Sequence, residues 1–358
     1  MAQDKDLKTP NVPPLRFPGF TDKWKESTIG NVVKIGNGRD YKHLGNGSIP
    51  VFGTGGYMTS VDDYLYDGET VFIGRKGSID KPFYFSGKFW TVDTLFYTYD
   101  FNGVIPKFLY SIFQRINWKK YNEASGVPSL SKATIEKIKF KYPLSPEQDK
   151  ISRLLSLIDE RIATQNKIID NLQSLIKGLR ELLFKPLLSY FVKLGNIAQI
   201  TNGSGDVQDA VSDYQNGLYP FFDRSDEMKY FRDYSFDAEA IIYAGEGAEF
   251  LPRYYNGKFA LHQRCYAITT FSSDFLPRYI YHYLQTQNNY FIRNAVGSTV
   301  PSLRIDCFLK IGIPIADKEI QDSIINRLDR LSEKINNEKN ILSLYQRQKT
   351  FLLQKLFI

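Results

Sequence analysis

Between Ser145 and Phe184 the chain sets Ile151, Leu155, Ile158, Ile162, Gln165, Ile169, Leu172, Ile176, Leu179 and Leu183 at intervals that alternate four and three. That is the period of a coiled-coil seam, held longer than an ordinary core helix holds it. Ser145 suits an N-cap and Pro146 the first helical position. Glu147, Gln148 and Asp149 suit the positive end of the helix dipole. The pattern predicts one helix over 145–184, and it occurs twice. A shift of 173 residues places Ile324, Leu328, Leu331, Ile335, Glu338, Leu342, Tyr345, Lys349, Leu352 and Leu356 on the same ten positions, with Gln148 matched by Gln321 and Phe184 by Phe357. A chain with two such stripes can cover one with the other. Both break the stripe at the fifth position, with Gln165 and Glu338, and a buried polar residue in a seam fixes register. The expectation is an antiparallel pair within one chain, with those two residues near each other at its middle.

Ahead of the first helix, short runs rich in Phe, Tyr, Val and Ile alternate with Gly and Asp turns: IPVFG at 49–53, TVFIG at 70–74, PFYFS at 82–86 and DTLFYTY at 93–99. These read as strands, followed by a helix over Lys107–Tyr121. The order then starts again from Leu194. Ile29-Gly-Asn recurs as Leu194-Gly-Asn at an offset of 165, Gly77 and Gly87-Lys88-Phe89 recur as Gly247 and Gly257-Lys258-Phe259 at 170, and Val127-Pro128-Ser129-Leu130 recurs as Val300-Pro301-Ser302-Leu303 at 173. Offsets that creep upward mean small insertions inside one repeated unit. The chain therefore divides into an N-terminal arm (1–22), a first globule (23–144), a central long helix (145–188), a second globule (189–316) and a C-terminal long helix (317–358). The fold class is α+β: two related mixed α/β globules separated by two long helices that form an antiparallel intramolecular coiled coil. At 1.5 Å per residue the rod would be about 57 Å, which spans on the order of 17 base pairs of duplex DNA.

Composition narrows the class. The 358 residues are 42% apolar and 15% aromatic, which is globular rather than disordered. No apolar run approaches the ~18 residues that span a membrane, no signal peptide opens the chain, and Cys265 and Cys307 stand alone, which suits a reducing cytoplasm. Net charge is +7. Residues 11–144 hold eighteen Lys and Arg against twelve Asp and Glu, whereas 190–316 hold eleven against thirteen. A basic balance is compatible with nucleic acid. In the second globule any such contact must come from a local patch.

With duplicated globules, duplicated helices, PLRFPGFTDKWKESTIG at the front and two VPSL segments, the chain resembles a specificity subunit of a type I restriction–modification system. The resemblance implies that each globule is a target-recognition domain reading one half of a split double-stranded DNA sequence. It implies that the helices set the spacer and carry two methyltransferase (modification) subunits. The whole complex would methylate adenine with S-adenosylmethionine and, with restriction/translocase subunits, cleave DNA using ATP and Mg²⁺. The chain itself would be non-catalytic and would bind none of these cofactors. It carries no GxxxxGK[ST] loop and no Asn/Asp-Pro-Pro-Tyr. His43, His262 and His282 are too scattered for a metal site, and Glu227-Met-Lys229 reads as a solvated turn.

Candidate DNA contacts follow from cations at turns. Arg75 and Lys76 lie between Gly74 and Gly77, where they can approach a phosphate or a guanine edge; the same sequence also suits a plain exposed turn. Its counterpart, Ala244-Gly245-Glu246-Gly247, does not share the basic character. Arg39 and Lys42 sit in a polar loop. In the second globule Arg224, Arg253 and Arg264 adjoin aromatic or turn residues, and Gln263 can pair with adenine. For each, a surface salt bridge is the competing reading. Leu154, Ile168, Leu175, Ile325 and Ile341 fall outside the seam and mark spare apolar surface for a partner. The alternative is a structural adaptor whose globules bind proteins. Steep loss of affinity with salt separates the two, because only the DNA reader releases counterions.

Overall fold

A computed structural model describes residues 12–225 and 227–358, so most of the N-terminal arm lies outside the described residues. The chain forms two compact units: one holds the residues up to Asn166 together with Ile341–Ile358, and the other is Lys167–Asn340.

Unit 1 contains, in order, β1 (Lys25–Thr28), the single turn α1 (Ile29–Val32), β2 (Lys34–Asn37), β3 (Asn46–Gly53), β4 (Gly56–Val61), β5 (Tyr66–Gly74), β6 (Phe83–Thr91), β7 (Leu95–Tyr99), α2 (Pro106–Arg115), α3 (Lys132–Lys137), β8 (Lys139–Tyr142) and the start of α4 (Ser145–Phe184). Six strands make one sheet in the order β2-β7-β5-β6-β3-β4, antiparallel except for β3 beside β6, and β1 pairs with β8. The run Val71–Phe72–Ile73 is continuously apolar because both faces of this sheet are covered. Val71 and Ile73 enter a core with α2, α3 and the helices. Phe72 enters an aromatic cluster with Phe52, Phe83 and Phe89 on the other side. Helix α2 is shorter than the predicted 107–121. It stops at Arg115, and Trp118–Tyr121 forms a separate 3-10 turn. The indole of Trp118 causes the break: it is buried, and its Nε1 donates to the Phe113 carbonyl at 2.8 Å.

Unit 2 repeats this plan with β9 (Phe191–Lys193), β10 (Gln199–Asn202), β11 (Tyr219–Phe222), β12 (Lys229–Phe231), β13 (Phe236–Ala244), β14 (Arg253–Leu261), β15 (Cys265–Thr269), α5 (Pro277–Leu284), α6 (Asn288–Asn294), α7 (Ile305–Lys310), β16 (Gly312–Pro314) and α8 (Lys318–Lys355), whose last residues belong to unit 1. The sheet order is β10-β15-β13-β14-β11-β12, with β11 and β14 parallel. Register repeats as well: Tyr66 faces Phe89 in unit 1 and Phe236 faces Phe259 in unit 2, each displaced by 170.

Every predicted seam residue of α4 and α8 is buried or half-buried. In unit 1, Ile151, Leu155 and Ile158 of α4 share a core with Leu352 of α8 and with Leu356 and Phe357 just past its end. Lys349 reaches Asp159 at 2.5 Å and Arg161 lies over the Tyr345 ring, so residue numbers rise on one helix as they fall on the other and the pair is antiparallel. The Asp159 contact explains how a lysine occupies a seam position. In unit 2 the end of α4 (Ile176, Phe184) packs with the start of α8 (Ile324, Leu328, Ile335). Gln165 and Glu338 are both buried. Ser145 lies inside α4 rather than capping it, since the first helical bonds are accepted by the Leu144 carbonyl. Leu154 and Ile325 also depart from the outer-face assignment, because they pack against the two cores.

One side chain ties each helix to its globule. Gln148, fully buried, accepts from the Ile105 N–H at 2.9 Å and donates to the Gly103 and Pro143 carbonyls, both at 2.8 Å. Gln321 repeats the bonds with the Leu276 N–H (2.8 Å) and the Asp274 (2.9 Å) and Ala316 (2.8 Å) carbonyls. Ile105 and Leu276 are the N-caps of α2 and α5. Each glutamine thus satisfies otherwise orphaned backbone groups.

The same junction also differs between the units. Tyr84 donates to Glu69 and lies under Lys107; at offsets of 170 and 171, Tyr254 donates to Glu239 and lies under Arg278. Among the described residues, only unit 2 adds an ionic clamp between this short helix and the long one. Asp329 of α8 receives Arg278 Nη2 and His282 Nε2, each at 2.8 Å. The positions of His282 and Asp329 correspond to Ser111 and Ser156. Burial pushes the His282 imidazole down to about 4 against the pull of Asp329, so at neutral pH it is a neutral ring whose Nε2–H donates.

Candidate nucleic-acid interface

At one end of each sheet three turns converge, and their backbones follow the same bonds. In unit 1 the Arg39 N–H donates to the Thr91 carbonyl at 2.7 Å, Val92 to Phe52 at 3.1 Å and Leu95 to Val92 at 3.0 Å. In unit 2 Ser204 donates to Leu261 at 3.1 Å, His262 to Phe222 at 2.9 Å and Cys265 to His262 at 2.8 Å. Gly38 and Gly203 permit this closeness: a Cβ on either would meet a carbonyl oxygen, that of Val92 at 1.9 Å or of Leu261 at 2.1 Å.

The two repeated motifs meet here. The Leu130 N–H donates to the Arg75 carbonyl at 2.9 Å, and the Gly77 N–H to the Pro128 carbonyl at 2.8 Å. In unit 2 Leu303 donates to Gly245 at 2.7 Å, and Gly247 to Pro301 at 3.1 Å. Lys76 bridges Ser129, and Glu246 bridges Ser302, through their backbones. Gly77 and Gly247 both have positive φ, which glycine adopts without strain. The VPSL segments are therefore the struts of these turns. The side chains of Lys76 and Glu246 are left out of the strut.

In unit 1, Arg39 and the Arg75–Lys76 pair flank the turn from Thr91 to Thr94, because Arg75 and Lys76 both donate to the Thr94 carbonyl. Arg39 and Lys76 are exposed; Arg75 is half-buried, with Nη1 3.4 Å from the Asp93 carbonyl and its guanidinium over Phe96. Lys42 is exposed, three residues beyond Arg39, with its N–H donating to Asp40. In unit 2, Arg224, Gln263 and Arg264 line one cavity of about 540 Å³ with Lys229, Glu246 and His262. The side chains of Arg224 and Gln263 make no hydrogen bond among the described residues, while Arg264 Nη1 meets Glu246 Oε1 at 2.7 Å. Arg253 serves the scaffold: it donates to the Ser225 carbonyl at 2.9 Å and to the Asp223 carbonyl, stacked on Phe222. Lys229 is held by Asp223 at 2.6 Å. Cys265 lies at the cavity wall, buried, its thiol pushed up to about 11 by desolvation.

Glu246 and His262 were absent from the residues singled out in the sequence. Glu246 had been visible only as the acid that broke the match to Lys76, and His262 only as a scattered histidine. The 170-residue offset marks them position by position: Thr54, Lys76, Val92, Asp93 and Thr94 stand where Arg224, Glu246, His262, Gln263 and Arg264 stand.

Duplicated sheets of one order, each followed by a long helix and each carrying its own loop chemistry, define a two-domain recognition scaffold. The profile of the type I restriction modification DNA specificity domain matches residues 21–174 and again 189–344, and the chain belongs to that family. Over 148 residues it is 28% identical to the type I restriction enzyme EcoDI specificity subunit of Escherichia coli, a stretch of 41% of this chain and 32% of the relative. The match thus spans about a third of that curated protein. The fold is similar to the crystal structure of the type I restriction-modification system S subunit from M. genitalium, with a TM-score of 0.68 at 17% identity, covering 97% of this chain and 99% of that one. Among the described residues no helix is long and apolar enough to cross a membrane.

Proposed function

We propose that this chain is the DNA-reading specificity subunit of a cytoplasmic type I restriction–modification complex. The globules of residues 23–144 and 189–316 each read one half of a bipartite duplex target, and the helices of 145–188 and 317–358 set the gap. Arg39, Lys42, Arg75 and Lys76 face one half-site, and Arg224, Gln263 and Arg264 the other, with Arg253 bracing the turn that presents them. The observation that carries this reading is the pair of loop clusters with the same backbone and different side chains. A reader of two unlike half-sites requires that combination, because phosphate contacts position and side chains at base edges specify. An adaptor for one kind of protein has no use for it.

The chain does no chemistry in this reading. Two modification subunits supply S-adenosylmethionine chemistry on adenine, and restriction/translocase subunits supply ATP- and Mg²⁺-dependent cleavage. Docking of the modification subunits is supported by apolar side chains on the helices: Ile168, Leu175 and Leu182 of α4 in unit 2, and Leu344 and Phe351 of α8 in unit 1, are exposed at seven-residue steps or near them. The test is co-expression with the modification subunit and mapping of methylated adenines across a genome. A single motif of two fixed blocks with a fixed gap is expected, together with DNA binding that weakens steeply with salt. Methylation without a bipartite motif, or binding indifferent to salt, refutes the reading.

A further inference from the structure

The pair Glu246–Arg264 is where the loop clusters of the two units differ most in chemistry. Glu246 takes the place of Lys76, and Arg264 the place of Thr94. Neither residue is needed by the turn that carries it. Glu246 bridges Ser302 through its backbone, and the Arg264 N–H donates to His262 Nδ1 at 3.2 Å. The two side chains meet at 2.7 Å, with Arg264 64% exposed and Glu246 22%. A half-exposed ion pair of this kind adds about 1 kcal/mol or less to stability, so stability does not account for Glu246 beside Arg264 in a cavity whose other acid, Asp223, is already held by Lys229. A surface built only to grip phosphate would exclude Glu246.

We infer, on the reading that unit 2 faces one half-site, that Glu246 and Arg264 together specify a G·C base pair in that half. In the major groove guanine offers two adjacent acceptors, N7 and O6, and its partner cytosine offers the N4 amine beside O6. An arginine fork held against a carboxylate presents the complement: two donors with an acceptor alongside. An A·T pair cannot satisfy the set. Adenine has one acceptor next to a donor, and the thymine O4 beside it is flanked by a methyl group. The carboxylate also acts against wrong partners, since it repels any acceptor placed where the cytosine amine belongs. In free protein the Nη1 contact holds Arg264 in place, and on binding it is kept while the other N–H groups of the guanidinium meet guanine.

The experiment uses the full chain assembled with its modification subunits. Wild type, Glu246→Gln, Arg264→Ala and Arg264→Lys complexes are compared by methylation mapping and by competition with duplexes altered one base pair at a time. Wild type should show a G·C pair in one half-site at which each variant loses roughly tenfold to a hundredfold of its discrimination. The other half-site should keep its motif and its affinity ranking. A variant complex too weak to methylate is judged by competition: loss confined to the one base pair supports the assignment, and equal loss on every duplex overturns it. Discrimination within twofold of wild type at all positions reduces the pair to a surface ion pair and also overturns it. If the wild-type complex shows no bipartite motif, the reading beneath the inference falls first, and the inference with it.

Discussion

Replacing Gln148 or Gln321 by Leu keeps the side chain's bulk and removes its amide. Each change strands one backbone N–H and two carbonyls against a fully buried side chain, and only at the exposed residues Gly103 and Asp274 does water relieve part of the loss. A buried polar group left without a partner costs about 1–3 kcal/mol. Three such groups, partly relieved by relaxation, set the expected loss at about 4 kcal/mol for the unit concerned. At that size protection from hydrogen exchange in the unit falls roughly a thousandfold, and its melting temperature drops by about 10 °C. The Ile105 amide in Gln148→Leu and the Leu276 amide in Gln321→Leu should lose protection first, because each is the donor to the missing oxygen. The effects should be similar in size and confined to one unit each, as the two bond sets are the same. Gln148→Glu tests the donors separately. It keeps the acceptor for Ile105 but turns a carboxylate toward the Gly103 and Pro143 carbonyls. It should be at least as damaging at neutral pH and recover on acidification, when the protonated acid can donate. A loss below about 1 kcal/mol in either Leu variant, or a loss of protection spread evenly over both units, would refute the argument.

Three further outcomes are expected. His282 should make unit 2 acid-sensitive: its folded pKa of about 4 lies below the ordinary 6.5, so the unfolded chain binds the extra proton between those values and stability falls with pH. The loss is about 2 kcal/mol between pH 7.5 and 5, read by urea denaturation, and the His282→Gln protein should lack it; an unchanged slope would count against the buried neutral imidazole. Leu175→Glu with Leu182→Glu should leave the fold intact, raise the solubility of the isolated chain and weaken capture of the modification subunit at least tenfold, whereas capture at wild-type strength would remove the α4 face from the docking surface. Four residues inserted beside Gln165 add about 6 Å of helix, which a coiled coil absorbs as a stutter, so the methylated motif should keep both half-sites and gain one or two base pairs between them.

The seam was legible because packing acts through a period, and a period survives in the sequence whatever the side chains do next. The same holds for β5, whose unbroken apolar run at 71–73 is the direct mark of a sheet covered on both faces. Single contacts were less legible. Gln148 and Gln321 were visible as a matched pair, but nothing in the sequence shows that each closes three backbone bonds with residues up to 47 positions away. Trp118 ended α2 because its indole found the Phe113 carbonyl, a tertiary event that overrides helix propensity. Leu154 and Ile325 lie one step off the seam and still reach a core, since a helix against a globule buries a wider stripe than a helix against a helix. The loop candidates stand out in the sequence mostly by their charge. The bonds of Arg253 to two carbonyls and of Arg264 to Glu246 depend on turn geometry that composition does not encode.

What the repeats share and what they do not separates scaffold from reader. Coinciding positions hold buried or backbone-bonded roles: Gln148 with Gln321, Gly77 with Gly247, and the Pro and Ser of each VPSL strut. Diverging positions cluster on the exposed turns at the end of each sheet. Lys76 and Glu246 show why divergence there is tolerated. Both are held through the backbone bridge to a serine, so the side chain is free to change sign while the bonds to the VPSL strut persist. A change of target at this position therefore disturbs one exposed ion pair, worth about 1 kcal/mol or less to stability. The same change at Gln148 would break three hydrogen bonds of a fully buried side chain. Separating those two scales lets one backbone carry two unlike readers in a single chain.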